Sequence, residues 1–219
     1  MKKSTSSYKI SSMLLGAFVI WTLCIQTIDV KPVGIQGTAV GFASLNQWFH
    51  QLTGVHMTLY TITDWMGLVP VAICLGFALL GLMQWVRRHH LWQVDFDILV
   101  LGVYYILVMI GYRIFEMIPI NYRPILIEGR MEASYPSSTT LLVVSVMPTL
   151  VFQIKRRWQN RMAACIATEL AAGFTAFMVM GRLLAGVHWV TDIIGALLLS
   201  EGMFYLYKAV VFGHDKTRI

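Results

Sequence analysis

His188 and Asp192 stand four residues apart, which on a helix puts both side chains on one face. A carboxylate beside an imidazole fixes its tautomer and stabilises its charged form, as a nucleophilic or general-base histidine requires. The same pair can equally satisfy itself near a membrane interface without doing any chemistry. Arg182 lies just upstream, and Arg123 belongs to a separate polar stretch. A guanidinium presents a planar fork that matches phosphate oxygens in bidentate fashion, although either arginine alone can be an interfacial anchor. Together with a His–Asp pair they point to phosphoryl chemistry. The run Tyr135-Pro136-Ser137-Ser138-Thr139-Thr140 reads as a helix start, with proline in the entry turn and hydroxyls that cap exposed N–H groups. Such an amino terminus also binds anions; taken alone, it is an ordinary cap.

The elements that must position these groups are apolar. Of 219 residues, 57% are hydrophobic and 13% are charged, and the mean hydropathy is +0.66. A soluble domain carries roughly twice that charged fraction. Spans of about 20 apolar residues cross a bilayer, and the sequence supplies six, at about residues 10–28, 57–86, 96–118, 139–154, 162–184 and 188–212. The expected fold is an all-α, six-transmembrane-helix bundle, a single integral membrane domain over residues 1–219. Between the first two spans, residues 29–56 are mixed, and their middle reads as an interfacial or re-entrant helix. Asp64 falls near the outer end of the second span.

The net charge of +6 does not indicate a nucleic-acid partner, because the charges sit in small clusters between apolar runs. Most of the 17 Lys and Arg residues lie at the amino terminus, around Arg87, around Lys155 and in the carboxyl-terminal tail. Basic loops stay in the cytoplasm, and six alternating spans place these same four segments on one side. Both termini are therefore expected in the cytoplasm, with the polar segments 29–56, 119–138 and 184–188 outside and a plasma membrane as the location. Trp48, Trp65 and Trp189 are expected to form an interfacial belt there. Cys24, Cys74 and Cys165 fall in apolar segments without metal or redox spacing.

Arg123-Pro124, Pro136-Ser137 and the pattern Arg182-x5-His188-x3-Asp192, on one side of six helices, resemble the type 2 phosphatidic acid phosphatase superfamily. That superfamily includes bacterial lipid phosphatases and relatives acting on undecaprenyl diphosphate, and shares its site with vanadium haloperoxidases. The resemblance implies that His188 attacks phosphorus, that Asp192 orients it, and that Arg123 and Arg182 clamp the phosphate. Ser137 donates to it, with Ser138 and Thr139 beside it. No metal or other cofactor is implied; the partners are the bilayer and a lipid phosphate or diphosphate.

The sequence departs from the family pattern at four positions. Glu116 stands where the first motif has lysine, Ser138 and Thr139 where the second has Gly-His, and Gly181 where a serine precedes the third-motif arginine. The family's histidine at position 139 protonates the leaving group, which threonine cannot do. Three readings follow. The substrate is a diphosphate, whose leaving group needs less protonation; or Glu116, Glu128 or Glu132 supplies the proton; or the chain binds or translocates a lipid phosphate without hydrolysing it.

Overall fold

The computed structural model of the chain describes residues 2–217. Among the described residues eight α-helices follow one another: α1 (Lys2–Thr27), α2 (Ala43–Thr53), α3 (Met57–Met66), α4 (Leu68–Arg88), α5 (Phe96–Met117), α6 (Ser138–Arg157), α7 (Arg161–Leu184) and α8 (Val190–Thr217). Helices α3 and α4 meet at Gly67 and together make one span of 32 residues, so six spans are long and apolar enough to cross a membrane. The protein is a multi-pass membrane protein. The first span starts earlier than its apolar run alone indicates, because polar side chains of its basic end pack on α8: the Ser4 hydroxyl donates to the Ala209 carbonyl (2.9 Å) and the Ser11 hydroxyl to the Gly202 carbonyl (2.8 Å).

Helices α6 and α8 form the inside of the bundle. In their most apolar windows 61% and 50% of residues are buried, against 22% or less in the other four spans. Lipid-facing helices can be apolar all round, whereas an inner helix must bury its polar groups against partners. Accordingly Ser200 on α8 donates to the Leu141 carbonyl of α6 (3.1 Å), and Gln153 on α6 donates to the Tyr207 hydroxyl (2.6 Å).

The two ends of the bundle are built differently. At one end Asp97, buried at the start of α5, accepts from Arg156 Nε (3.2 Å) and Arg157 Nη2 (2.9 Å), while Asp95 accepts from Arg88 (2.8 Å) and Arg157 (2.9 Å). Arg156 also reaches Asp215 on α8 (2.7 Å). This network ties the ends of α4, α5, α6 and α8 together. At the other end the connecting segments hold one another. The His56 amide donates to the Ala185 carbonyl (3.0 Å), His50 Nε2 contacts the Gly186 carbonyl (3.1 Å), and Trp189 Nε1 donates to the Tyr122 carbonyl (2.8 Å).

Helix α2 occupies the mixed stretch, with Leu45, Trp48 and Leu52 exposed along one side. Trp48 and Trp65 are 60% and 70% exposed, as an interfacial belt requires, but Trp189 is only 4% exposed. Its indole is taken up by the Tyr122 carbonyl, so Trp189 packs the loops rather than facing lipid.

Removing the Asp97 carboxylate takes one of two carboxylate partners from each of two partly buried guanidiniums, leaving Arg156 with Asp215 and Arg157 with Asp95. Asp97→Ala is expected to destabilise the bundle by about 1–2 kcal/mol through the lost charge-assisted hydrogen bonds, read as a lower thermal midpoint in detergent; an unchanged midpoint would contradict a stabilising role for this network.

Candidate active site

His188 lies in the turn between α7 and α8, two residues before α8 begins. The expected sixth span started at His188, and the shared helix face expected from the i,i+4 spacing is therefore not how the two residues meet. His188 Nδ1 is 3.7 Å from Asp192 Oδ2, too long for a hydrogen bond. Ser134 bridges the gap. Its hydroxyl donates to Asp192 Oδ2 in a short hydrogen bond and lies 3.1 Å from His188 Nδ1. The Ser134 carbonyl is also 3.1 Å from Nδ1. A carbonyl only accepts, so Nδ1 carries the proton and the lone pair is on Nε2. That Nε2 is buried and has no hydrogen-bond partner.

Asp192 is buried and well satisfied: besides Ser134 it accepts from Asn121 Nδ2 (3.1 Å) and from the Trp189 amide (2.9 Å). Three donors thus converge on one carboxylate, which fixes the histidine turn against the loop after α5.

Arg182 at the end of α7 and Arg123 in the loop after α5 are both buried. Arg182 Nη1 is 3.6 Å from Asp64 Oδ1, and Arg123 Nε is 3.2 Å from Glu132 Oε2. The Nε and Nη1 atoms of both arginines nevertheless have no hydrogen-bond partner. Buried donors without acceptors are costly, and four guanidinium nitrogens beside a histidine lone pair make a setting for a tetrahedral oxyanion. Burial, then the charges of Arg123 and Arg182, hold the His188 imidazole well below its ordinary pKa of 6.5. A neutral imidazole is therefore held in the field of two cations.

The second-motif residues take different places. The Ser137 hydroxyl donates to Thr140 Oγ1 (3.1 Å) and its amide to the Asp192 carbonyl (3.3 Å), so this side chain is turned into α6 rather than toward the arginines. Ser137 gives no side-chain cap to α6, and Thr139 is buried in the first turn. Ser138 borders a cleft of about 390 Å³ that is also lined by Tyr112, Glu116, Arg123, Glu132 and Tyr135. Of the three acids considered from the sequence, Glu132 contacts Arg123. Glu116 lines the same cleft but pairs with Arg113 (2.5 Å). Glu128 is exposed at the loop tip, outside the cleft.

Sequence reading missed Ser134, Asn121 and Tyr60. The first two are single polar residues in a polar loop with no spacing to mark them. Tyr60 sits in an apolar run, yet its ring lies 4.8 Å from the Arg182 guanidinium carbon and 5.9 Å from that of Arg123. Asp64 was visible as a carboxylate in a span, but its partner was not.

Residues 116–216 match the family model of the PAP2 superfamily. No curated protein matches the sequence. Among solved structures, the fold is similar to the first transmembrane PAP2 type phosphatidylglycerolphosphate phosphatase from Bacillus subtilis, with a TM-score of 0.62 and 17% identity, over 99% of this chain and 98% of that one.

Arg182→Ala removes a buried charge-assisted donor set. It is expected to weaken binding of inorganic phosphate to the detergent-purified protein at least about tenfold, measured by calorimetric titration; unchanged binding would place the anion elsewhere.

Proposed function

We propose that this chain is a membrane-embedded phosphatase acting on a lipid phosphate or diphosphate at the extracytoplasmic face, a reading supported by the match of residues 116–216 to the PAP2 superfamily model. The observation that carries the reading is His188 Nε2, buried without a hydrogen-bond partner and in the field of Arg123 and Arg182, whose Nε and Nη1 atoms likewise make no hydrogen bond. Its outward placement rests on the distribution of Lys and Arg among the loops.

In the proposed reaction the Nε2 lone pair forms a bond to phosphorus as the bond to the leaving oxygen breaks. Charge on the phosphoryl oxygens is met by the guanidiniums and by the uncapped N–H groups that open α6. The Ser134 carbonyl keeps the proton on Nδ1, and as Nε2 becomes bonded the imidazole gains positive charge. Asp192 offsets that charge through the Ser134 hydroxyl. Water then attacks the phosphohistidine, the N–P bond breaks, inorganic phosphate leaves and the neutral histidine returns. A lipid suits the site because its chain can stay in the bilayer while the head group enters the loops.

Thr139 supports a second reading. It stands where the superfamily's leaving-group acid is expected, and general acid catalysis typically contributes ~10²–10⁴-fold. A diphosphate needs this acid least, because a phosphate is a stable leaving group. Without turnover, the same cradle would bind or translocate a lipid phosphate.

The test is phosphate release by purified protein from phosphatidic acid, phosphatidylglycerol phosphate, undecaprenyl diphosphate and undecaprenyl phosphate, each beside His188→Ala. Release that vanishes in the variant supports the phosphatase; release that persists sinks the nucleophile assignment. No release from any of the four, with phosphate still bound, favours the binder.

The pH profile follows from the lowered pKa. His188 must be neutral to attack, and its folded value lies below 6.5. After correction for substrate ionisation, kcat/KM is expected to hold as pH falls through 6.5 and to decline only below it. An acid limb centred at or above 6.5 would contradict this environment. Ser134→Ala is expected to lower kcat about tenfold or more, with phosphate affinity little changed; equal losses in both would make Ser134 a general structural element.

A further inference from the structure

We propose that Tyr60 on α3 is a positioning residue that holds both phosphate-binding guanidiniums, and that Gly181 lets α3 come close enough for it to do so. The inference rests on the reading of Arg123, Arg182 and His188 as a phosphoryl-transfer site.

Two buried guanidiniums sharing one anion site repel each other when the anion is absent. A carboxylate bonded to each would quench that repulsion, but it would also occupy the N–H forks that phosphate needs. The face of an aromatic ring solves the problem differently. It attracts a cation through its quadrupole and leaves the in-plane N–H groups free. The Tyr60 ring centroid is 4.8 Å from the guanidinium carbon of Arg182 and 5.9 Å from that of Arg123, both within the range of such contacts. The Nε and Nη1 atoms of both arginines are free of protein hydrogen bonds, as this arrangement requires. Two carboxylates stand near the guanidiniums without making hydrogen bonds: Asp64, one turn further along α3, is 3.6 Å from Arg182 Nη1, and Glu132 Oε2 is 3.2 Å from Arg123 Nε.

Gly181 supplies the second observation. A Cβ at this position would lie 2.7 Å from Thr63 Cγ2 and 3.6 Å from Leu59 Cδ1. Thr63 is fully buried, and its hydroxyl is bound back to the Leu59 and Tyr60 carbonyls (2.9 and 3.0 Å). It therefore has little room to yield. Any side chain at 181 pushes α3 away from α7, and the Tyr60 ring moves away from Arg182 with it. The loss of the serine expected from the resemblance is thus coupled to a wall that lies on α3, outside residues 116–216.

The experiment uses the full chain in detergent and two readouts: calorimetric binding of inorganic phosphate, and kcat and KM on the best substrate of the panel above. Tyr60→Phe keeps the ring face and is expected to stay within about twofold of the parent. Tyr60→Leu is expected to weaken phosphate binding about tenfold and to raise KM more than it lowers kcat. Gly181→Ser is expected to match Tyr60→Leu, and adding Thr63→Ser, which removes the obstructing methyl, is expected to recover most of the loss. Thermal midpoints report folding, and the Gly181→Ser and Thr63→Ser pair decides the matter if Tyr60→Leu does not fold. Parental phosphate binding in Tyr60→Leu, equal weakness in Tyr60→Phe, or no recovery in the double variant would overturn the proposal. If the parent releases no phosphate but binding still follows the Tyr60 series, the phosphatase reading fails and the positioning role stands.

Discussion

Two arginines buried beside a neutral histidine are the constraint on which this structure depends. An unpaired charge inside a protein costs several kcal/mol even after relaxation, and here two of the same sign share a site. The protein offsets the cost only in part, with one carboxylate near each guanidinium and an aromatic ring against both. The charges of both guanidiniums act on the buried His188 imidazole. In the proposed reaction the incoming phosphoryl group would supply the missing counter-charge, and the gain would grow as negative charge develops on its oxygens.

Holding that arrangement requires a rigid frame at one end of the bundle, and the rest of the fold supplies it. The inner helices α6 and α8 contribute the helix start and Asp192, α7 contributes Arg182, and the loop after α5 contributes Arg123, Asn121 and Ser134. Those pieces come from distant parts of the chain, and Asn121, Ser134 and the Trp189 amide meet on the Asp192 carboxylate. The ionic network at the opposite end fixes the spacing of α4, α5, α6 and α8, so the loops are mounted on helices that cannot slide independently. The other four spans bury a smaller share of their apolar windows.

Much of this was legible in the residues. Apolar runs of bilayer length marked all six spans, because a bilayer demands such runs and little else produces them. Arg182, His188 and Asp192 were recognisable by type and spacing. The connection between them was not. Spacing suggested a shared helix face for His188 and Asp192, but the chain turns at Gly186 and the contact runs through Ser134, 54 residues away from the histidine. Trp189 reads as an interfacial residue by type, yet its indole is buried on the Tyr122 carbonyl. The approach of α3 was hidden for a similar reason: a glycine inside an apolar run gives no sign of which helix comes close to it.

The central claim is that the free nitrogen of His188 forms a bond to phosphorus. Its most direct test is acid-free denaturation of the purified protein during turnover of a labelled lipid phosphate or diphosphate, followed by peptide mass spectrometry. The account predicts an acid-labile, base-stable phosphoryl group on the peptide containing His188, absent from His188→Ala. Steady release of phosphate with no phosphoryl group on that peptide, under conditions that preserve a control phosphohistidine, would contradict it.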